Sequence, residues 1–175
     1  MKTKYLIVTL GLALALAAFG PQSFAADEAA MKATPAEKMF IKKAAMGGMT
    51  EVKLGELASQ KGDSKEVKDF GDKMVKDHTK INDNLKDVAG KLGVTVPAEL
   101  NAKHQAMVAK MEKMSGPAFD KAYVNDMIMD HEKDVAEFQK ADKEVKNEDL
   151  KKFIEDSIPT MQEHLDMIKK FSQAK

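Results

Sequence analysis

Apolar residues recur at spacings of four and three along four long stretches of this chain, a period that suits α-helices packed through one face. From Pro35 to Lys61 the stripe is Phe40, Ala44, Gly47, Glu51, Leu54 and Ala58. From Asp63 to Leu92 it is Val67, Gly71, Met74, His78, Ile81, Leu85, Val88 and Leu92. A third stripe, between Gly116 and Val145, holds Val124, Ile128, His131, Val135 and Phe138. The fourth, from Asn147 to Phe171, holds Leu150, Ile154, Met161, Leu165 and Ile168, with Phe153, His164 and Phe171 beside it. The short run GVTVP at 93–97 is all that alternates like a strand, so an all-α fold is expected.

The punctuation divides the helices. Pro35 suits a first turn, and Gly62 ends the first helix. Asp63 and Glu66 have the spacing of a capping box for the second, which stops at Gly93. Ser115-Gly116-Pro117 opens the third and Asn147 the fourth, which Pro159 is expected to kink. About 24 residues separate helices 2 and 3, with a short amphipathic segment at Pro97–Met114. A tight turn needs far fewer residues. A crossover running the length of the bundle fits, which predicts a ferritin-like antiparallel four-helix bundle with a helical crossover between helices 2 and 3.

Each long stripe carries one ligand-capable group in or beside it: Glu51, His78, His131 and His164. Glu51 and His78 lie 11 and 15 residues from the Gly62-Asp63 turn, and His131 and His164 lie 15 and 18 residues from Lys146. At roughly 1.5 Å per residue, each pair meets within about one turn, near mid-bundle. Three imidazoles and a carboxylate suit Zn²⁺ or Cu²⁺; buried, hydrogen-bonded core histidines are the plainer reading. Without an acidic partner, burial should depress the pKa of His78 and His131. Asp77, Asp130 and Glu163 each precede a histidine and point about 100° away from it. They either orient a histidine on a neighbouring helix or pair in solvent with Lys76, Lys80 or Lys133. His104 shares a stripe with Leu100, Met107, Met111 and Met114 on the crossover and reads as packing. Gly47-Gly48 reads as a site of close helix approach. Twelve Met follow Met1, either as core filler or as soft ligands for Cu(I).

A di-iron centre of ferritin type takes a Glu from two helices and Glu-x-x-His from the other two. Here Val75, Ile128 and Met161 stand three residues before the histidines, so that donor set is missing. The chain has no Cys and no Arg, which removes thiol chemistry, disulfides and bidentate guanidinium forks. No nucleophile motif or phosphate loop is present.

Residues 1–25 read as a secretory signal: Lys2 and Lys4, an apolar run from Tyr5 to Gly20, then Ser23-Phe24-Ala25 at the cleavage position. Cleavage after Ala25 is expected, then a flexible segment at 26–35 and one domain at 36–173. For a Gram-negative source this means the periplasm, with no transmembrane segment left after cleavage. Without Lys2 and Lys4, the 28 acids face 26 Lys, so no basic face invites nucleic acid. A bundle of this kind can also form a homo-oligomer.

The segments AAMGGMTEVKLGELASQK, VKDFGDKMVKDHTKIND, SGPAFDKAYVNDMIMDHEKDV and IPTMQEHLDMI together resemble domain-of-unknown-function family 4142, over about residues 36 to 171. The resemblance implies an exported, periplasmic, ferritin-like helical bundle and brings no established activity. Some members carry an outer-membrane label, which an all-helical chain without a barrel pattern does not support. Three functions follow in order: a non-enzymatic binding or envelope and stress protein, a Zn or Cu protein using the mid-bundle histidines, and a ferritin-type di-iron oxidase.

Overall fold

The computed structural model describes residues 32–173, so the expected signal peptide and most of the 26–35 segment lie outside the described residues. Five helices follow one another: α1 (Pro35–Lys61), α2 (Lys65–Lys91), α3 (Ala102–Glu112), α4 (Gly116–Glu144) and α5 (Glu148–Gln173). The described residues contain no strand, and GVTVP is irregular chain. No helix among them is long and apolar enough to cross a membrane.

Helix starts follow side-chain chemistry. Thr34 and Glu37 form a capping box, and Pro35 occupies the first turn of α1. The expected Asp63–Glu66 box is displaced by one residue. The cap of α2 is Ser64, whose hydroxyl accepts from the Val67 amide at 3.4 Å. The reason lies on another helix: Asp120 of α4 accepts from the Asp63 amide at 2.8 Å and from the Ser64 amide and hydroxyl at 2.9 and 2.7 Å. At the other end of the bundle, Glu37 accepts from the Thr34, Lys146 and Asn147 amides at 2.8, 3.2 and 3.2 Å. α5 runs through Pro159 as one continuous helix.

These two buried carboxylates define the topology. Asp120 ties the start of α4 to the end of α1, and Glu37 ties the start of α1 to the end of α4. α1 and α4 are therefore antiparallel. Each also pairs with its hairpin partner, and α2 lies against α5, closing a ring in the order α1, α2, α5, α4. In that ring α2 and α4 run parallel, so the chain between them must travel the length of the bundle, and α3 lies on α1 and α4 along that path. The bundle is thus an antiparallel four-helix bundle with a helical crossover, as the spacing predicts.

The α1–α2 hairpin is the tightest contact. A Cβ on Gly71 would stand 2.6 Å from the Ser59 amide nitrogen and 2.7 Å from the Gly55 carbonyl oxygen. Gly48 is close-packed as expected, its absent Cβ lying 2.0 Å from Asn82 Oδ1, whereas Gly47 has ordinary room. Gly71→Ala should cost about 1–3 kcal/mol, because backbone on α1 must retreat and the overlap outweighs the propensity gain. Gly90→Ala, with nothing within 4 Å, should instead be neutral or stabilising by up to about 1 kcal/mol. Urea midpoints of the two variants, moving in these directions, check the argument.

The first half of α1 departs from its expected stripe. Ile41, Ala45 and Gly48 are buried, whereas Phe40 and Ala44 are only partly so. A step of one residue is a rotation of about 100°, and Glu37, on the same line as Ile41 and Ala45, is bonded to the Lys146 and Asn147 amides, which turns that face inward.

Candidate metal centre

The interior holds two apolar clusters. One gathers Ile41, Leu85, Phe138, Ile154 and Met161, and the other Leu54, Met74, Phe119, Tyr123 and Ile168. Between their sequence levels, one from each bundle helix, stand Glu51, His78, His131 and His164, none more than 3% exposed. The four residues that interrupt the stripes therefore form one polar layer at mid-bundle.

The three imidazoles lie with ring centroids 5.2–5.6 Å apart, and one ligand-capable nitrogen of each is within 4.8 Å of the other two. Each ring is anchored at one nitrogen by a group that only accepts. His131 Nδ1–H donates to the Met127 carbonyl at 3.0 Å. His164 Nε2–H donates to Asp77 Oδ2 at 2.9 Å. His78 Nδ1–H donates to Glu51 Oε2 at 3.0 Å. A carbonyl and two carboxylates fix the tautomers and leave His131 Nε2, His164 Nδ1 and His78 Nε2 on the inner side. His131 Nε2 and His164 Nδ1 then face each other at 3.3 Å. Two neutral rings would meet there lone pair to lone pair. His78 Nε2 and Glu51 Oε1 are buried with no hydrogen-bond partner, and Glu51 Oε1 is 3.7 Å from His131 Nε2.

Electrostatics divides the histidines. Burial pulls His131 and His164 below the ordinary imidazole range, His164 to about 4, although Asp77 acts against the shift at His164. At His78 burial acts the same way, but the Glu51 carboxylate outweighs it and raises the pKa. The expectation of two depressed histidines thus fails at His78, because its acidic partner arrives from α1 across the helix interface. Burial would raise Glu51, yet His78, followed by the other two imidazoles, lowers it to about 2. The surrounding carboxylates are strained the other way: Asp130 is pushed up to about 6 by burial, then by Asp126 and Glu51, and Asp134 to about 7 by burial, then by Glu51.

Of the acids that precede histidines, Asp77 orients His164 on a neighbouring helix, and its lysine partner is Lys73 at 2.9 Å rather than Lys76 or Lys80. Glu163 pairs with Lys73 at 3.2 Å near the surface, and Asp130 is half-buried beside the layer. His104 stands apart from the cluster, half-buried, with Nδ1 2.8 Å from the cap residue Asn101. The stripes show which residue enters the interior. They missed Glu37 and Asp120, buried carboxylates that set helix ends, and gave no sign that Met127 supplies a carbonyl.

Two solved structures are similar to this chain. The crystal structure of a DUF305 fragment from Deinococcus radiodurans superposes with a TM-score of 0.71 at 13% identity, covering 82% of this chain and 99% of that one. CopM in the Cu(I)-bound form superposes with a TM-score of 0.66 at 16% identity, covering 78% and 95%. At such identities the likeness is one of fold. No curated protein matches the chain in sequence. The family model described as Domain of unknown function (DUF4142) matches residues 22–171, nearly the whole chain, and the chain belongs to that family.

Proposed function

We propose that this protein binds one borderline divalent ion, Zn²⁺ or Cu²⁺, through His78, His131 and His164, with Glu51 as the fourth ligand. The observation that carries the reading is the set of three anchored imidazoles, each with its outer nitrogen committed to an acceptor and its other nitrogen turned inward. Two imidazole nitrogens on one tetrahedral ion, each about 2.0–2.1 Å from it, stand about 3.3–3.4 Å apart. His131 Nε2 and His164 Nδ1 already have that separation, at 3.3 Å. A cation there turns the opposed lone pairs into ligands and gives the unpartnered His78 Nε2 and Glu51 Oε1 a partner.

Three histidines and a carboxylate form a borderline set that favours Zn²⁺ and Cu²⁺ over Mg²⁺ or Ca²⁺. With one carboxylate in the layer, the bridging ligands of a di-iron centre are lacking. CopM, which shares the fold, is described as Cu(I)-bound, which makes copper a natural second ion to assay. All four ligands come from the protein and all are buried, so no coordination position is left open for a substrate. The reading is therefore of a holding protein, structural or carrier, rather than a hydrolase. From the leader-like first 25 residues, we place it outside the cytoplasm.

Titration calorimetry with ZnCl₂ and CuSO₄ tests the proposal on chelator-treated protein. One equivalent should bind, and the heat should change with the ionisation enthalpy of the buffer because binding displaces the proton held at His78. No saturable binding of either ion would return the histidines to the core.

A further inference from the structure

A buried site needs a way in, and two small adjoining clefts lie at the α1–α4 interface. A surface cleft is lined by Phe40, Lys43, Ala44, Asp134, Glu137 and Phe138. A second cleft, deeper in, shares Ala44, Asp134 and Phe138 with it and continues to Gly48, Asn82, Glu51 and His78. Asp134 thus stands at the junction of the two. The outer cleft carries Glu137, a third exposed and bound to Lys43 at 2.6 Å. The inner one ends on Glu51, 3% exposed, and His78, 2% exposed, each with a buried atom that has no hydrogen-bond partner. Asn82 Oδ1, on the wall, is likewise buried and unpartnered. Gly47 leaves its missing Cβ 3.7 Å from Asp134 Oδ2, and Asn82 fills the space that a side chain on Gly48 would need.

From this geometry we infer that Glu137, Asp134 and Glu51 are successive steps of a cation entry path from the surface to the histidine layer, with Asp134 as the obligatory middle step. The inference rests on the metal-binding reading above. Free carboxylate and carbonyl oxygens replace the hydration shell of a divalent ion a few at a time, and their charge raises its local concentration. The groove on the opposite side, where Asp77 lies, is a poorer entrance. The Asp77 oxygen that binds His164 also holds the Lys73 ammonium at 2.9 Å, which repels an incoming cation. At the proposed mouth Lys43 occupies Glu137 in the same way, but at the outermost step, where its side chain is 56% exposed.

The test separates rate from affinity. CoCl₂ is mixed with chelator-treated protein in a stopped-flow instrument, and growth of the visible tetrahedral cobalt bands is followed. Asp134→Asn should load about tenfold more slowly while the equilibrium Kd stays within about threefold, since a path residue alters entry and exit together. Lys43→Gln should load about two- to threefold faster, by freeing Glu137. Asp69→Asn, an equal charge change on an exposed part of α2, should leave the rate unchanged. Asp134→Asn removes a charge that burial already disfavours and should fold; circular dichroism verifies this. Loading of Asp134→Asn at the wild-type rate overturns the path while leaving the histidine centre standing. So does a loss of affinity equal to the loss of rate, which would make Asp134 a part of the holding site. Absence of a saturable cobalt band in the wild type overturns the centre and the path together.

Discussion

Replacement of His131 by alanine should abolish the rise in melting temperature that zinc gives the wild-type protein. An ion that binds only the folded chain, at one hundred times its Kd, adds about 2.7 kcal/mol. For a domain of this size that is a shift of roughly 8 °C. His131 is fully buried, and its Nε2 lies 3.3 Å from His164 Nδ1 and 3.7 Å from Glu51 Oε1. Without it the remaining donors lack their centre, and the shift should fall below about 2 °C. The readout is the difference between scans with and without zinc, so it does not depend on what the variant loses as apoprotein. His131→Gln, which preserves more of the volume, guards against a failure to fold and should behave alike. His104→Ala should keep the full shift, because His104 lies on the crossover helix outside the layer. An undiminished shift in both His131 variants would mean that zinc binds elsewhere.

Glu51→Gln should destabilise the metal-free protein most in mildly acidic solution. Glu51 and His78 form an ion pair at 3.0 Å with both side chains nearly inaccessible. The folded pKa of Glu51 is lowered, so its contribution is present above about 4.5 and is lost as pH falls toward about 2. The folded pKa of His78 is raised, so its contribution is complete below about 6.5 and is lost as pH rises through the folded value. The pair is therefore strongest between about 4.5 and 6.5. Removing one charge of a buried pair costs about 3–5 kcal/mol; the amide of Gln can still accept from His78, which sets the expectation near 3 kcal/mol. His131 and His164 work in the opposite sense. Their folded pKa values are lowered, so their contribution is present above about 6.5 and falls as pH drops, for His164 down to about 4. In the wild type His78 offsets part of that acid sensitivity; in Glu51→Gln it cannot. Urea denaturation from pH 4.5 to 8 should show a gap between the two proteins that narrows at the alkaline end. A gap that is constant with pH would mean that Glu51 acts through packing alone. Zinc affinity should also fall about 10- to 100-fold, since the variant loses both the orienting acceptor of His78 and a ligand oxygen.

Helix identity was written locally. Pro35 and Gly62 bracket α1, Ser115-Gly116-Pro117 opens α4, and stripes at four-three spacing run through every long helix. Each of these signals acts within a few residues of itself, through a fixed φ, a missing amide or the 3.6-residue period, and so is legible without knowing the fold. The same logic found Glu51, His78, His131 and His164, because a polar group in an apolar stripe stands out whatever packs against it. Counting residues from the turns even placed them at one height.

What a stripe cannot carry is the identity of the group across the interface. That Asp77 reaches His164 as well as Lys73 depends on how α2 and α5 are rotated about their axes. That Glu51 favours the charged form of His78 while burial holds His131 below the ordinary imidazole range depends on distances of 3.0 and 3.7 Å, set by helix separation. Asp120 moved the cap of α2 from Asp63 to Ser64 from 56 residues away. The sequence by itself determined that Glu51, His78, His131 and His164 interrupt the stripes at one level, because a polar break in a local period shows within its own helix. It did not determine the buried face of early α1 or the burial of Glu37 and Asp120. Only the tertiary structure decided which nitrogen of each imidazole faces inward, because hydrogen bonds and charge pairs act over a few ångströms between helices distant in the chain.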